Sequence, residues 1–242
     1  MARRATFSRA LICASLAALL FSGFSPASAQ SAASKNLAPG FTQLTKAAKV
    51  VVMPVDVELF SISAGGVAEP KADWTASALT HMKSAMVAKT NAIGLNTTVM
   101  EEAAADEFGE QVGLHAAVAR AIAIHHGTGG VWALPTKEEK LDWSFADSMR
   151  PIEAKTGSRY GLFVWVRDSY ASPERKALMI GMALLGVGLG GGIQTGYATL
   201  VDLQSGQVLW FNRLISSTGD LRDAKSAASS IDSLLAGFPK VQ

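Results

Sequence analysis

The sequence predicts a domain of the α+β or α/β class: a small mixed β-sheet with helices packed on it, ending in a β-hairpin and a C-terminal helix. Three observations carry this. A β-branched run, Lys49-Val-Val-Val-Met-Pro-Val-Asp-Val, has the length of a strand; Tyr160-Gly-Leu-Phe-Val-Trp-Val-Arg is almost continuously apolar; and two strand patterns meet at Ser205-Gly206. Between and after these strands the apolar period changes to that of helices, which places helices against a sheet.

Residues 30–40 read as a flexible, Ala/Ser-rich lead-in, and 41–242 as a single domain. In the first strand Pro54 removes a ladder hydrogen bond, so the strand lies at an edge or ends there. Residues 63–70, with Gly65-Gly66 and Pro70, read as a loop. Asp73 is a candidate N-cap for a helix reaching about Lys89, its stripe formed by Trp74, Ala78, Met82, Ala85 and Met86. A second helix is expected from about Ala104 to His125, stopped by Gly127-Thr-Gly-Gly. A short strand at Val131–Leu134 and a charged helical stretch from Thr136 to Thr156, interrupted near Pro151, follow. The run from Tyr160 to Arg167 reads as a central strand covered on both faces. Gln194–Leu203 and Gln207–Phe211 form the hairpin, and Asp220 is the expected cap of the last helix.

The amino terminus has the three parts of a secretory signal peptide. Arg3, Arg4 and Arg9 precede or open an apolar run from Ala10 to Phe21, and Ala27-Ser-Ala29 matches the cleavage pattern. The run is shorter than the roughly 20 residues that span a bilayer. Cleavage after Ala29 and a periplasmic destination are therefore expected. Arg3-Arg4 lacks the flanking residues of a twin-arginine signal, and Cys13 sits inside the apolar run, which argues against lipid attachment. The whole chain has 22 Lys and Arg against 20 Asp and Glu, but the leader contains three of the arginines and no acid. The mature chain is near neutral, with no footprint for nucleic acid. Its loss of Cys13 excludes disulfides, so core packing alone must hold it.

The chemistry-bearing residues are few. Gly186, Gly188 and Gly191 match G-x-G-x-x-G, but a strand follows them where a dinucleotide loop would open a helix. Residues 177–193 contain no charge and follow Arg175-Lys176. This stretch is either a buried connection or a segment for contact with a membrane, a partner or a second copy. Its candidate contact residues are Leu178, Ile180, Leu184, Gly186, Gly188, Gly190 and Gly192. His115, His125 and His126 lack metal-ligand spacing and read as structural or capping residues. Asp56 and Asp168 each read as strand-end residues. If their strands are parallel neighbours, the two carboxylates converge in a crevice that would bind a ligand or cation, or do acid/base work. No Gly-x-Ser-x-Gly is present, and the tryptophans fit core positions. No cofactor, metal or catalytic residue is expected.

The hairpin Gln194-Thr-Gly-Tyr-Ala-Thr-Leu-Val-Asp-Leu-Gln-Ser-Gly-Gln-Val-Leu-Trp resembles the terminal hairpin of exported envelope proteins related to the curli-secretion lipoprotein and the amino-terminal domain of TolB. Lys49–Val57 resembles their opening strand, and Tyr160–Arg167 takes the place of the middle one. The resemblance covers about three strands. It implies a role in envelope assembly or export, with envelope proteins as partners, and in the curli-secretion relatives a segment between the middle and terminal strands inserts into the outer membrane. This chain has no cysteine after its cleavage site, so the lipid anchor of the lipoprotein members has no counterpart here. The expectation is a non-enzymatic envelope protein with 177–193 as its contact segment; the rival is a ligand-binding protein or enzyme using Asp56 and Asp168.

Overall fold

A computed structural model describes residues 34–242. The leader and its cleavage site lie outside the described residues. In chain order the elements are β1 (Gln43–Leu44), β2 (Lys49–Val52), β3 (Asp56–Ile62), β4 (Ala68–Pro70), α1 (Ala72–Ala92), β5 (Asn96–Val99), α2 (Glu102–Ala105) and α3 (Gly109–Ile122). They continue with α4 (Arg150–Thr156), β6 (Tyr160–Ala171), α5 (Pro173–Leu184), β7 (Gln194–Asp202), β8 (Val208–Ser216), α6 (Ala224–Leu234) and β9 (Lys240–Val241). This is the mixed sheet with packed helices, terminal hairpin and C-terminal helix that the sequence predicts.

The long strand β6 is the axis of the sheet. Along one edge it pairs antiparallel with β7, which continues antiparallel into β8. Along the other edge β2 and then β3 run parallel to it, Val50 opposite Tyr160 and Ile62 opposite Ala171. Strand β5 lies parallel beyond β2, and β4 antiparallel beyond β3. Between the pairs Val52↔Leu162 and Asp56↔Trp165 the first chain has one residue more than β6. Pro54 sits in this bulge, where its missing N–H breaks no ladder bond. Strand β2 ends at Val52, just before Pro54, and β3 beyond it is paired only with β6 as far as Leu59, so Pro54 falls at a strand break as the sequence leads one to expect.

Each face of the sheet has its own core. On one, Val50, Val52, Val57, Leu59 and Leu162 meet Ala78, Met82 and Met86 of α1 and Ile231 and Leu234 of α6. On the other, Val51, Met53, Phe163 and Phe211 meet Ala119 and Ile122 of α3 and the segment bearing Phe145, Met149 and Ile152. The buried residues of α1 recur every fourth position, as its periodicity predicts. Several local expectations are corrected. Helix α1 starts one residue before Asp73, which lies in its first turn, and α6 is capped by Asp223, whose Oδ1 accepts from Ser226 N at 3.0 Å. Asp220 is occupied instead by Arg222. The expected 104–125 helix is divided into α2 and α3 and ends in a π-turn at Ala123–Thr128. The expected strand at 131–134 is replaced by a 3-10 turn at Gly130–Trp132, and Pro151 stands in the first turn of α4, where a proline fits.

His115 is buried on the α3 face, its Nε2 3.0 Å from Thr199 Oγ1 and its ring stacked on Phe163 at 4.7 Å. Burial pulls its pKa from 6.5 down to about 3. The folded value is depressed, so the fold keeps His115 neutral while the unfolded chain takes up a proton. Stability is therefore complete above about pH 6.5 and falls as the pH drops towards 3, by up to about 1.4 kcal/mol per pH unit from this residue. His115→Gln removes that slope: in urea unfolding, its free-energy difference from the parent chain shifts by about 2 kcal/mol between pH 7 and pH 5. An unchanged difference would show that His115 titrates normally in the fold.

Candidate functional site

The strand register decides the fate of the two aspartates. Asp56 is opposite Trp165, and Asp168 is opposite Leu59. Side chains alternate along a strand, so Asp56 shares a face with Trp165 and Arg167, whereas Asp168 shares the other with Leu59. The expected common crevice does not form. Asp56 opens β3 instead of ending a strand, and Asp168 lies inside β6. Asp56 Oδ1 accepts from Arg167 Nη1 at 2.7 Å, and Glu58 lies 3.3 Å from the same guanidinium. Arg167 also rests over Trp165, which stacks on Tyr197. Asp56 is therefore part of a charged and aromatic ladder across the open half of the sheet.

Asp168 is only 3% exposed. Its Oδ1 accepts from Ser169 N at 2.8 Å; its Oδ2 accepts from Gln194 Nε2 at 2.9 Å and from the Tyr170 hydroxyl. Tyr170 in turn accepts from Leu221 N at 2.7 Å, and Gln194 Oε1 accepts from Ser230 Oγ at 2.9 Å. One carboxylate thus joins the end of β6, the start of β7, the loop before α6 and α6 itself. Burial pushes the Asp168 carboxyl above its ordinary value, against the pull of these hydrogen bonds. The Tyr170 phenol is raised as well, first by burial and then by its bond to Asp168.

Residues 173–193 form an arm that leaves the sheet beside this network. Ser172 Oγ accepts from Arg175 N at 3.2 Å and starts α5, with Pro173 in the first turn. A glycine-rich return then leads into β7. No residue from Pro173 to Ile193 is buried: Ile180 is 68%, Leu184 85% and Leu185 76% exposed. Of the other candidate contact residues, Leu178, Gly186, Gly188 and Gly190 are exposed and Gly192 half-buried. The reading as a buried connection is thereby corrected, because among the described residues no element folds over the segment. Leu185 is as open as its neighbours, and only the uncharged run itself marks it in the sequence.

The arm is clamped at its root. Arg175 Nε donates to Gly190 O at 3.0 Å, while Ser169 Oγ accepts from Ile193 N at 3.0 Å and donates to Ile193 O at 3.1 Å. Gly192 lies against the main chain of Ser169, where any side chain would collide. Between the return and residues 216–219 is a cleft of about 290 Å³, with Asp168 in its wall. Among the described residues no helix is long and apolar enough to cross a membrane, and no cluster of His, Cys, Asp and Glu is placed to hold a metal. His125 Nδ1 is 2.8 Å from Trp132 O, and His126 Nε2 is 2.7 Å from Lys35 O, so both rings are used in holding loops.

Fold and site together define a class: a mixed α+β domain with an exposed apolar arm between its middle and terminal strands. No protein-family model matches the chain, and no curated protein matches it. Among solved structures, the chain is similar to the PelC dodecamer from Paraburkholderia phytofirmans, with 13% identity over 84% of this chain and 94% of that one, at a TM-score of 0.40. It is also similar to the lipoprotein GNA1162 from Neisseria meningitidis, with 14% identity over 79% of this chain and 99% of that one, at a TM-score of 0.33. A third likeness is to the LpoB C-terminal domain from Salmonella enterica, with 12% identity over 75% and 88% of the two chains and a TM-score of 0.26.

Proposed function

We propose that the protein is a non-enzymatic, exported component of the cell envelope that works by contact, and that the arm at 173–193 is its contact segment. The observation that supports this reading is the arm's exposure. Large apolar side chains stand in water on a helix that buries none of its residues, at odds with the surface of a monomer that has no partner. The leader and the resemblance of the hairpin to exported envelope proteins support a periplasmic setting.

The test uses the mature chain from Gln30, in light scattering and in partitioning with detergent micelles. The chain self-associates or enters the micelle, and Ile180→Glu combined with Leu184→Glu abolishes this. Burial of each side chain contributes about 1.5–3 kcal/mol, so the double substitution weakens association by about 100-fold or more. Unfolding free energy moves by less than about 0.5 kcal/mol, because both positions are exposed. A parent chain that is strictly monomeric and indifferent to detergent would sink the reading.

A further inference from the structure

We infer that the cleft at the root of the arm binds a ligand bearing a protonated amine, with Asp168 receiving the ammonium. A buried carboxylate is ordinarily matched by a cation, since an isolated charge loses its hydration without compensation. Asp168 is 3% exposed, yet among the described residues it makes no ion pair with lysine or arginine. The two arginines nearest to it by sequence or field are committed elsewhere. Arg167 belongs to the opposite face, held by Asp56 and Glu58. Arg222 donates through Nε to Asp220 Oδ1 at 2.8 Å and lies over the rings of Trp74 and Tyr170. The charges of both Asp220 and Arg222 reach Asp168, and since Arg222 is paired with Asp220, this group of three has one carboxylate more than cation.

The hydrogen-bond inventory of the carboxylate points the same way. Oδ2 is occupied by Tyr170 and Gln194, whereas Oδ1 accepts only from Ser169 N and retains acceptor capacity. Asp168 is one of the residues lining a cleft of about 290 Å³, the size of a small ligand or of one end of a longer one. Gly190, Gly191 and Gly192 form part of the wall without side chains, which leaves main chain facing the space. An ammonium brings three donors to such a surface. A bare metal ion demands a shell of several oxygen ligands, and no cluster of acidic or imidazole groups supplies one here among the described residues.

The experiment is an NMR titration of the labelled mature chain with 1,4-diaminobutane, with 1,4-butanediol as its uncharged counterpart. The diamine alone shifts the amides of residues 168–170, 190–194 and 216–219. Asp168→Asn weakens its binding by at least about tenfold, as expected for loss of a charged hydrogen bond. Ser217→Trp, placed at an exposed position in the cleft wall, blocks binding while leaving the carboxylate in place and decides the matter if Asp168→Asn does not fold. Equal response to the diol overturns the inference. So does the absence of shifts up to about 50 mM diamine, well beyond a millimolar dissociation constant. Unimpaired binding in the folded variants, or saturation of the same amides by calcium chloride alone, also overturns it.

Discussion

Trp210→Ala lowers the unfolding free energy by about 3–5 kcal/mol, a large share of the roughly 5–15 kcal/mol available to a domain. Trp210 is fully buried in β8, opposite Leu200, in the core beneath α1 and α6. Phe238 meets its ring edge-on at 5.0 Å, and Leu37 bridges to its backbone. Removal of the indole leaves a cavity bounded by two helices, a strand and two terminal segments, which cannot all close in at once. The indole N–H has no acceptor among the described residues, so Trp210→Phe deletes an unsatisfied donor along with part of the ring and costs clearly less than alanine. Urea unfolding of the three chains checks the order. A cost below about 1.5 kcal/mol for alanine would show that the site collapses freely and that the two terminal segments are not fixed to it.

Gly206→Ala is the second large effect, for a different reason. Gly206 has φ +71° in the β7–β8 turn, donates to Asp202 O at 2.7 Å and accepts from Phe145 N at 2.8 Å. A methyl group there meets the main chain of Ala146, which cannot move away as a side chain would. Left-handed backbone costs about 1–2 kcal/mol and overpacking about 1–3 kcal/mol, so the substitution destabilises by about 3–4 kcal/mol. Gly157 provides the control: its φ is +63° and nothing lies within 4 Å of an added Cβ, so alanine there bears the backbone cost alone. Equal losses at the two glycines, measured by thermal unfolding, would remove the packing argument. They would also show that the segment bearing Phe145 and Met149 is not pinned by the hairpin.

Much of the fold is legible from periodicity. The apolar run from Tyr160, the four-residue stripe on α1 and the Ser205-Gly206 turn each specify an element whose packing agrees with its local pattern. What escapes is non-local. Asp73 and Asp220 both look like helix caps, but Lys71 precedes the first helix and Asp223 starts the last, and sequence alone does not rank neighbouring candidates. The pairing of Asp56 with Asp168 fails because faces are assigned by register across strands more than 100 positions apart, which no local pattern encodes. The network at Asp168 is equally hidden: Tyr170, Gln194, Leu221 and Ser230 are unremarkable singly and meet only through the sheet. The arm is half legible. Its lack of charge marks 177–193, but whether such a run is covered depends on the rest of the domain.

The bulge at Pro54 makes the opening strand behave like a message with a two-letter reading frame. Before it, Val50 and Val52 belong to the α1 face; after it, Val55, Val57 and Leu59 do, so the frame has moved by one letter. Loss of a single residue between Val52 and Asp56 would remove the bulge and leave strict alternation, which keeps Val57 and Leu59 under α1 and Asp56 and Glu58 on the side of Arg167. Loss of two would turn β3 inside out, carrying Asp56 and Glu58 under α1. The stretch therefore tolerates one residue fewer, at the cost of the bulge, but not two.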